Sequence, residues 1–218
     1  MKTKSKILLL TLCAVALVAA SVLGTLAYLT STDTVTNTFT VGKVQIKLDE
    51  AKANADGSLV PNADRVKANS YKLLPGHTYN KDPMVTVLKD SESSYIKMTV
   101  TFTKAAELDE IFASNGGADM TSIFNGYDGT TWIAKDVTKD TAANTRTYEF
   151  WYKNAVAAIA DDADDVALEP LFTSIKVPGF ITNAQLDTIK GMTITVNAYA
   201  IQADSFENAE AAWAAFSA

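Results

Sequence analysis

The chain has 218 residues, a formal charge of −6 and a single cysteine, Cys13. This length accommodates one β-rich domain or two small ones, and the acidic balance argues against nucleic acid or an anionic lipid surface as a partner. With one cysteine there is no internal disulfide, so the hydrophobic core must supply the stability, which a chain of this size can do.

Residues 1–27 are typical of a secretory signal. Three lysines precede a continuous apolar run over residues 7–20, and Thr25 and Ala27 lie three and one residues before a cut ahead of Tyr28. A cut one residue later and an uncleaved signal anchor are the alternatives, although the run is shorter than the ~20 residues of a membrane span. Cutting after Ala27 changes the formal charge from −6 to −9. We expect a secreted product without a stable membrane anchor after processing.

The next stretch, residues 28–41, is called the N-terminal segment below. Threonine occupies every even position from Thr30 to Thr40. This period of two predicts an extended strand, because successive side chains of a strand point to opposite faces. The odd-numbered face is only partly apolar, so the segment has little to bury against its own domain. Its apolar members are Leu29, Val35, Phe39 and Val41.

Strand patterns separated by turn signals continue from Gly42 to residue 103. The clearest strand covers residues 95–103, where apolar and polar residues alternate. Residues 43–48 and 84–88 also have strand patterns, whereas residues 50–69 are polar, contain an Asp-Gly turn signal and predict a surface excursion. The inward face of the clearest strand comprises Ile96, Met98, Val100 and Phe102.

The middle of the chain combines a short helix with aromatic strands. Residues 104–113 predict the helix. Strand patterns at residues 123–127 and 131–134 flank Asp128-Gly129, which predicts a hairpin. Residues 146–153 place Tyr148, Phe150 and Tyr152 on one face of a further strand, with Trp151 on the other.

The last quarter predicts two strands and two helices after an acidic stretch, residues 155–165, that is helical or loose. The strands cover residues 171–177 and 192–202. A helix at 182–189 has Thr182 or Asn183 as its N-cap, and an amphipathic helix covers 204–216 with Asp204 as its cap. The pattern as a whole predicts an all-β domain over residues 42–218, an antiparallel β-sandwich of jelly-roll type with a few short helices after an N-terminal signal helix.

The junction from Gly24 to Leu48, GTLAYLTSTDTVTNTFTVGKVQIKL, resembles the start of secreted bacterial proteins of the TasA/camelysin family. A second matching stretch is LLPGHTYNKDPMVTVLKDSESSYIKMTVTF, from Leu73 to Phe102. The stretch from Thr121 to Pro178 does not align. The elements of the first match are Gly24, Thr25, Ala27, Tyr28, Asn37, Phe39 and Gly42.

The resemblance implies a jelly-roll protein exported from a Gram-positive cell after cleavage by a SipW-type signal peptidase. Several relatives assemble into extracellular fibres of the biofilm matrix, in which the N-terminal segment of one subunit adds as a strand to the next. Strand addition to an open sheet edge is a known recognition mode. Here residues 28–41 would be the added strand, and the alternative is that they form the first edge strand of their own monomer.

Candidate catalytic and metal residues are few. Camelysin-like relatives are labelled metallopeptidases, so a secreted metal-dependent endopeptidase is an alternative function. The helical zinc motif needs two histidines, and this chain has only His77, which we interpret as an exposed turn residue. No nucleophile motif is present, so the sequence favours a non-enzymatic protein without a required cofactor. An acidic run is interpreted as a solvated loop, with calcium as the alternative ligand; it comprises Asp161, Asp162, Asp164 and Asp165.

Three tryptophans suggest a further alternative, a monomeric surface adhesin. Trp132, Trp151 and Trp213, together with the aromatic strand at residues 148–152, would line a carbohydrate groove if they shared one surface. Aromatic residues at strand spacing are more often part of the core, so we interpret them as core residues.

Overall fold

The computed structural model describes residues 12–16, 42–114, 116–117 and 120–216. The chain divides into two compact units, Met1–Val41 and Gly42–Ala218. In the first unit the described residues, 12–16, are helical. No helix among the described residues combines the length and the apolarity needed to cross a bilayer.

The second unit consists mostly of β-strands that pair antiparallel, with a few short helices, which confirms the all-β class. Its strands are β1 (Ile46–Asp49), β2 (Thr78–Asn80), β3 (Met84–Val87), β4 (Ser94–Thr103), β5 (Phe124–Asn125), β6 (Trp132–Asp140), β7 (Thr145–Tyr152), β8 (Val166–Ala167), β9 (Ser174–Lys176) and β10 (Ile194–Gln202). Its helices are α1 (Ala105–Ala113), α2 (Asn183–Thr188) and α3 (Ala209–Ala215), with a 3-10 turn at Met120–Ile123.

Three antiparallel sheets organise the described strands. The largest has the order β10-β4-β7-β6, and the other two have the orders β1-β3-β8 and β2-β9-β5. The four-stranded sheet contributes much of the core through the inward face of β4, since Ile96, Met98, Val100 and Phe102 are at most 1% exposed. The predicted core strand at residues 95–103 is therefore confirmed.

Stacked phenylalanine rings join two of the sheets. Phe102 of β4 lies 5.9 Å from Phe124 of β5, and Phe124 lies 4.2 Å from Phe172 in a nearly parallel stack. Phe172 is fully buried. The rings therefore connect the four-stranded sheet to the β2-β9-β5 sheet through direct apolar contact.

The predicted hairpin around Asp128-Gly129 is wrong. β5 pairs with β9, whereas β6 pairs with β7 and continues to Asp140. The reason is local: the Asp128 carboxylate accepts hydrogen bonds from the backbone N–H and hydroxyl of Thr130, each 2.8 Å, and its carbonyl accepts one from Trp132 N–H. This turn redirects the chain between sheets instead of joining two paired strands.

Two helix predictions agree with the structure, and a third differs at its start. The helices predicted at residues 104–113 and 182–189 are α1 and α2, and Thr182 forms a capping box with Gln185. The helix predicted over 204–216 begins later, as α3, because Asn208 caps it by accepting a hydrogen bond from Ala211 N–H. Asn208 is an equally good cap and lies closer to the apolar residues of the helix.

Residues 50–69 are only partly the predicted surface excursion. Glu50 is buried, and Gly57 has a positive φ of 88° with its Cα so near Tyr79 that an added Cβ would lie 2.6 Å from the Tyr79 Cα. Only glycine tolerates that contact and that backbone conformation together. The excursion is therefore fastened to the body of the domain, where it borders the site described next.

Candidate functional site: an open sheet edge along β10

β10 is an outer strand of the four-stranded sheet and pairs with β4 alone among the described residues. Thr103 N–H donates to Thr193 O at 3.1 Å, and Ala203 N–H donates to Ser93 O at 2.8 Å. In an antiparallel pair, alternate residues point their backbone groups to the same neighbour, so odd-numbered residues bond β4. The N–H and C=O groups that face away, with no backbone partner among the described residues, belong to Ile194, Val196, Ala198, Ala200 and Gln202.

β10 lacks the devices that usually protect an outer strand. Its sequence, ITVNAYAIQ, has neither a charged residue nor a proline. By contrast, β6 at the opposite margin is almost wholly exposed, carries Lys135 and Lys139, and has a bulge between Ala134 and Asp136. Charges and bulges prevent edge-to-edge pairing, so β10 is the long margin of this sheet that is open to a further strand.

The margin of the β1-β3-β8 sheet that faces β10 is partly covered. Glu50 exchanges backbone hydrogen bonds of 2.9 and 2.7 Å with Val66, and Lys67 Nζ donates to Leu48 O. These contacts occupy the last outward-facing groups of β1. The outward-facing backbone groups that have no partner among the described residues therefore lie mainly on β10.

Half-buried apolar side chains flank the open margin. They contact the core but remain partly exposed, and β1 and β10 each pair with a strand on only one side among the described residues; they are Ile46, Leu48, Ile194, Val196, Ala198 and Ala200. The sequence predicted the inward face of residues 192–202 as core, whereas at a sheet margin that face is only half buried. Covering it with the apolar face of another strand would stabilise the assembly by removing this surface from water.

A groove runs along the first half of β10. Its opposite wall is the stretch 66–74, which we call the strap. One cavity of about 730 Å³ lies between the strap, α2 and residues 189–194. A second, of about 400 Å³, lies between the strap, the end of β1 and residues 194–196. Apolar residues such as Leu73 and Met192 form part of the floor, which suits apolar side chains from a docked segment.

A charge cluster around the buried Asp49 lies at the start of the strap. Arg65 contacts Asp49 Oδ1 at 2.5 Å and Asp82 Oδ2 at 2.8 Å, and Lys47 contacts Asp49 Oδ2 at 2.7 Å. Burial opposes the charged form of Asp49, but the hydrogen bonds from Lys47 and Arg65 outweigh it and hold the pKa of this carboxyl below its ordinary value. A separate buried pair, Lys81 with Glu50 at 2.6 Å, supports the same corner.

Replacing Arg65 with alanine is expected to lower the free energy of unfolding at neutral pH by about 2 kcal/mol, because the side chain of Asp49 is 2% exposed and loses its main partner. The expected loss of stability is smaller than the loss on breaking a fully buried ion pair, because the Arg65 side chain is itself 28% exposed. Urea unfolding measures the change. Lys43→Ala is the control: its pair with Asp90 is about half exposed, so the loss stays below about 0.5 kcal/mol.

The same variant gives a pH-dependent result. The lowered pKa of Asp49 means that its contribution is present above the unfolded value of 3.8 and is lost as the pH falls through the folded pKa. In Arg65→Ala burial is opposed by Lys47 alone, so the pKa of Asp49 rises. The folded and unfolded pKa values of Asp49 then lie closer together, so acidification below pH 3.8 should remove less stability from the variant than from the parent, and the difference between the two proteins should shrink at low pH. Identical acid profiles would contradict this account.

Several site residues predicted from the sequence lie outside the described part of the chain. They are the cleavage residues Thr25, Ala27 and Tyr28 and the strand-addition residues Leu29, Val35, Phe39 and Val41. The calcium candidates Asp161, Asp162, Asp164 and Asp165 are exposed, and Asp165 accepts a hydrogen bond from Lys89 N–H. Within the described ranges no three or more acidic, histidine or cysteine side chains are grouped so as to hold a metal ion.

The histidine and the tryptophans do not form one site. His77 is exposed in the turn before β2. Trp132 is fully buried and donates to Glu169 O, so it is a core residue. Trp151 of β7 lies 6.2 Å from Trp213, which is a buried residue of α3. The three tryptophans therefore do not line a common groove.

No protein-family model, curated protein or solved structure matches this chain. The site therefore rests on its own geometry. The β10 margin was missed by sequence reasoning, although its lack of charge and proline over nine residues was a usable signal once the strand was known to be an outer one.

Proposed function

We propose that this protein is a secreted structural subunit that assembles into an extracellular homopolymer. In the proposed polymer, the N-terminal segment (residues 28–41) of one copy adds as a strand to the β10 margin of another. The observation that carries the proposal is a long, uncharged, unprotected strand margin bordered by half-exposed apolar side chains. An unprotected strand margin promotes edge-to-edge aggregation unless a specific strand pairs with it.

The sequence of the N-terminal segment suits that partner role. Its threonine face tolerates water, while Leu29, Val35, Phe39 and Val41 form the face that would cover the apolar side chains beside β10. The alternation has the period of a strand. Backbone hydrogen bonds to β10 would supply affinity, and the apolar face would set the register.

The proposal also includes the route of export and the arrangement of the sheets. The resemblance to the TasA/camelysin family supports a jelly-roll arrangement of the sheets, a SipW-type signal peptidase acting after Ala27 and a place in the matrix or on the cell surface. Cleavage would then release the N-terminal segment for assembly, so processing would control when polymers form.

The test compares the processed protein, starting at Tyr28, with a chain starting at Gly42. We expect the first to form polymers by sedimentation and electron microscopy, and the second to remain a folded monomer. Two variants of the longer chain sharpen the result: asparagine at Leu29, Val35, Phe39 and Val41 should abolish assembly, whereas serine at the even threonines should leave it intact. A monomeric processed protein at high concentration, or polymers that persist in the shorter chain, would overturn the proposal.

The same preparation distinguishes the other functions. Casein digestion that a chelator abolishes would favour the metal-dependent endopeptidase. Binding to a glycan array by a monodisperse sample would favour the surface adhesin. Either result without polymers would replace the structural role proposed above.

A further inference from the structure

The buried ion pair between Lys81 and Glu50 has a third member, the carboxamide of Asn69. Lys81 Nζ donates to Glu50 Oε2 at 2.6 Å, and Asn69 Nδ2 donates to Glu50 Oε1 at 2.9 Å. The two oxygens of one carboxylate therefore hold a primary amine and a carboxamide side by side. Glu50 directly follows β1, Asn69 lies in the strap and Lys81 directly follows β2. We call these three residues the triad.

Backbone groups hold the carboxamide of Asn69 in one orientation. Its Oδ1 accepts a hydrogen bond from Ala53 N–H at 2.9 Å, and its Nδ2 donates a second hydrogen bond to Ala51 O at 2.8 Å. A donor on a carbonyl oxygen stabilises the negative charge that develops there when a nucleophile attacks the carbonyl carbon. Cγ of Asn69 is therefore the electrophilic atom of the triad.

The amine and the carboxylate of the triad are shielded from solvent. Lys81 is 8% exposed and Glu50 is 5% exposed, and the apolar Pro83 and Ile194 line the same cavity. Burial, and then the negative charge of Glu50, raise the pKa of Tyr71, so this neighbour is an uncharged phenol. Proton transfer from an ammonium to a carboxylate removes two charges from such surroundings, and it leaves a nucleophilic amine.

From this arrangement we propose that the triad forms an intramolecular isopeptide bond between Lys81 and Asn69, with Glu50 carrying the protons. Lys81 Nζ gives one proton to Glu50 and attacks Cγ of Asn69, while Ala53 N–H stabilises the negative charge on Oδ1. Glu50 then passes its proton to Nδ2, the Cγ–Nδ2 bond breaks, and ammonia leaves. The second proton lost by Nζ follows through Glu50 to the ammonia, which departs as ammonium.

This reaction balances without any further reactant. One Nζ–Cγ bond replaces one Cγ–Nδ2 bond, and nothing is oxidised or reduced. Attack requires Nζ to come about 3–3.5 Å from Cγ, and the shared carboxylate of Glu50 holds the two groups next to each other before that approach. The cavity of about 400 Å³ that the triad lines gives the ammonia a way out.

A cross-link of this kind suits an exported chain. Cys13 is the single cysteine and lies within the predicted signal, so the processed chain has no disulfide. An isopeptide bond between Asn69 and Lys81 needs no oxidant, and it would fasten the strap to the end of β2. Like a disulfide, it would restrict the unfolded chain, here over residues 69–81. The inference goes beyond the proposed function, because the bond forms or fails to form whether or not the protein polymerises.

Intact mass spectrometry of the processed protein, followed by digestion with trypsin, tests the proposal. We expect the protein to be lighter than its sequence by one molecule of ammonia. Trypsin should not cut after Lys81, and residues 68–72 should remain joined to residues 73–89 through the new bond. Lys97 is the internal control, since it also pairs with a glutamate, Glu149 at 3.1 Å, but the other oxygen of that carboxylate accepts from the indole of Trp151. Trypsin should cut after Lys97 completely.

Three variants assign the roles within the triad. Lys81→Arg removes the nucleophile and Asn69→Ala removes the electrophile, so each should have the full mass of its sequence. Glu50→Gln keeps the size of the side chain but not the proton transfer, and its linked fraction should be several-fold smaller than in the parent. Unfolding transitions identify the variants that are folded, and the result on the parent does not depend on them.

Two outcomes would overturn the proposal. One is a parent of full mass in which trypsin cuts after Lys81. The other is an ammonia deficit that persists in Lys81→Arg, because that loss would come from an asparagine cyclising onto its own backbone. Linkage at the parental level in Glu50→Gln would overturn the role of Glu50 as the proton carrier.

Discussion

Replacing Ala198 with proline is expected to abolish polymer formation while leaving the monomer folded. The N–H of Ala198 faces away from β4, so its loss removes a donor from the open margin without breaking a hydrogen bond of the sheet. Proline also places its ring where the backbone of an added strand would approach. We expect polymers to fall below detection by sedimentation, with an unfolding transition close to that of the parent.

The matched variant is Ala198→Val, which keeps the N–H and the inward apolar side chain. It should polymerise like the parent, since valine suits a strand. Asn197→Pro tests the alternation itself: its N–H bonds β4, so we expect a destabilised monomer, by about 3 kcal/mol. Polymers of Ala198→Pro at the parental level would show that β10 is not the accepting margin.

Replacing Phe172 with alanine should cause the largest loss of stability among the substitutions considered. Its ring is fully buried and stacks on Phe124 at 4.2 Å, and Phe124 in turn contacts Phe102. The change leaves a cavity between two sheets, and comparable truncations lower the free energy of unfolding by about 4 kcal/mol. Chemical denaturation of the monomer measures it.

Phe180→Ala is the control for that measurement. Phe180 is 40% exposed and contacts Phe112 edge to face. Because less of its surface is buried, we expect a loss of about 1 kcal/mol. Equal losses for Phe172 and Phe180 would mean that the stacked rings do not join the sheets as described.

Regular patterns in the sequence predicted the core strand and the first two helices correctly. β4 alternates over its whole length, and Thr182 with Gln185 has the spacing of a capping box. These patterns depend only on residues close together in the chain, so a single sequence is enough to predict the strand and the helices. The prediction of a hairpin at Asp128-Gly129 was wrong because the partner of a strand is not decided by nearby residues. β5 pairs with β9, and Phe124 of β5 stacks on Phe172, far along the chain.

The candidate site also depends on strand pairing, which the sequence pattern does not determine. The alternating residues of β10 predicted a strand, but alternation cannot tell an inner strand from an outer one. Only the observed order β10-β4-β7-β6 exposes its margin. Likewise, residues 50–69 were interpreted as a surface stretch because they are polar, yet Arg65 joins carboxylates of two separate segments, the buried Asp49 and the partly exposed Asp82.

The bulge and lysines of β6 have a consequence for the proposed assembly. Since that margin is unsuited to pairing, each four-stranded sheet has one receptive side, and each copy contributes one segment. A subunit with one accepting strand margin and one donated segment can bind two neighbours, one through each. Filaments built from such subunits would be unbranched. Their two ends would differ chemically, because one end would carry an unpaired N-terminal segment and the other an unpaired β10 margin.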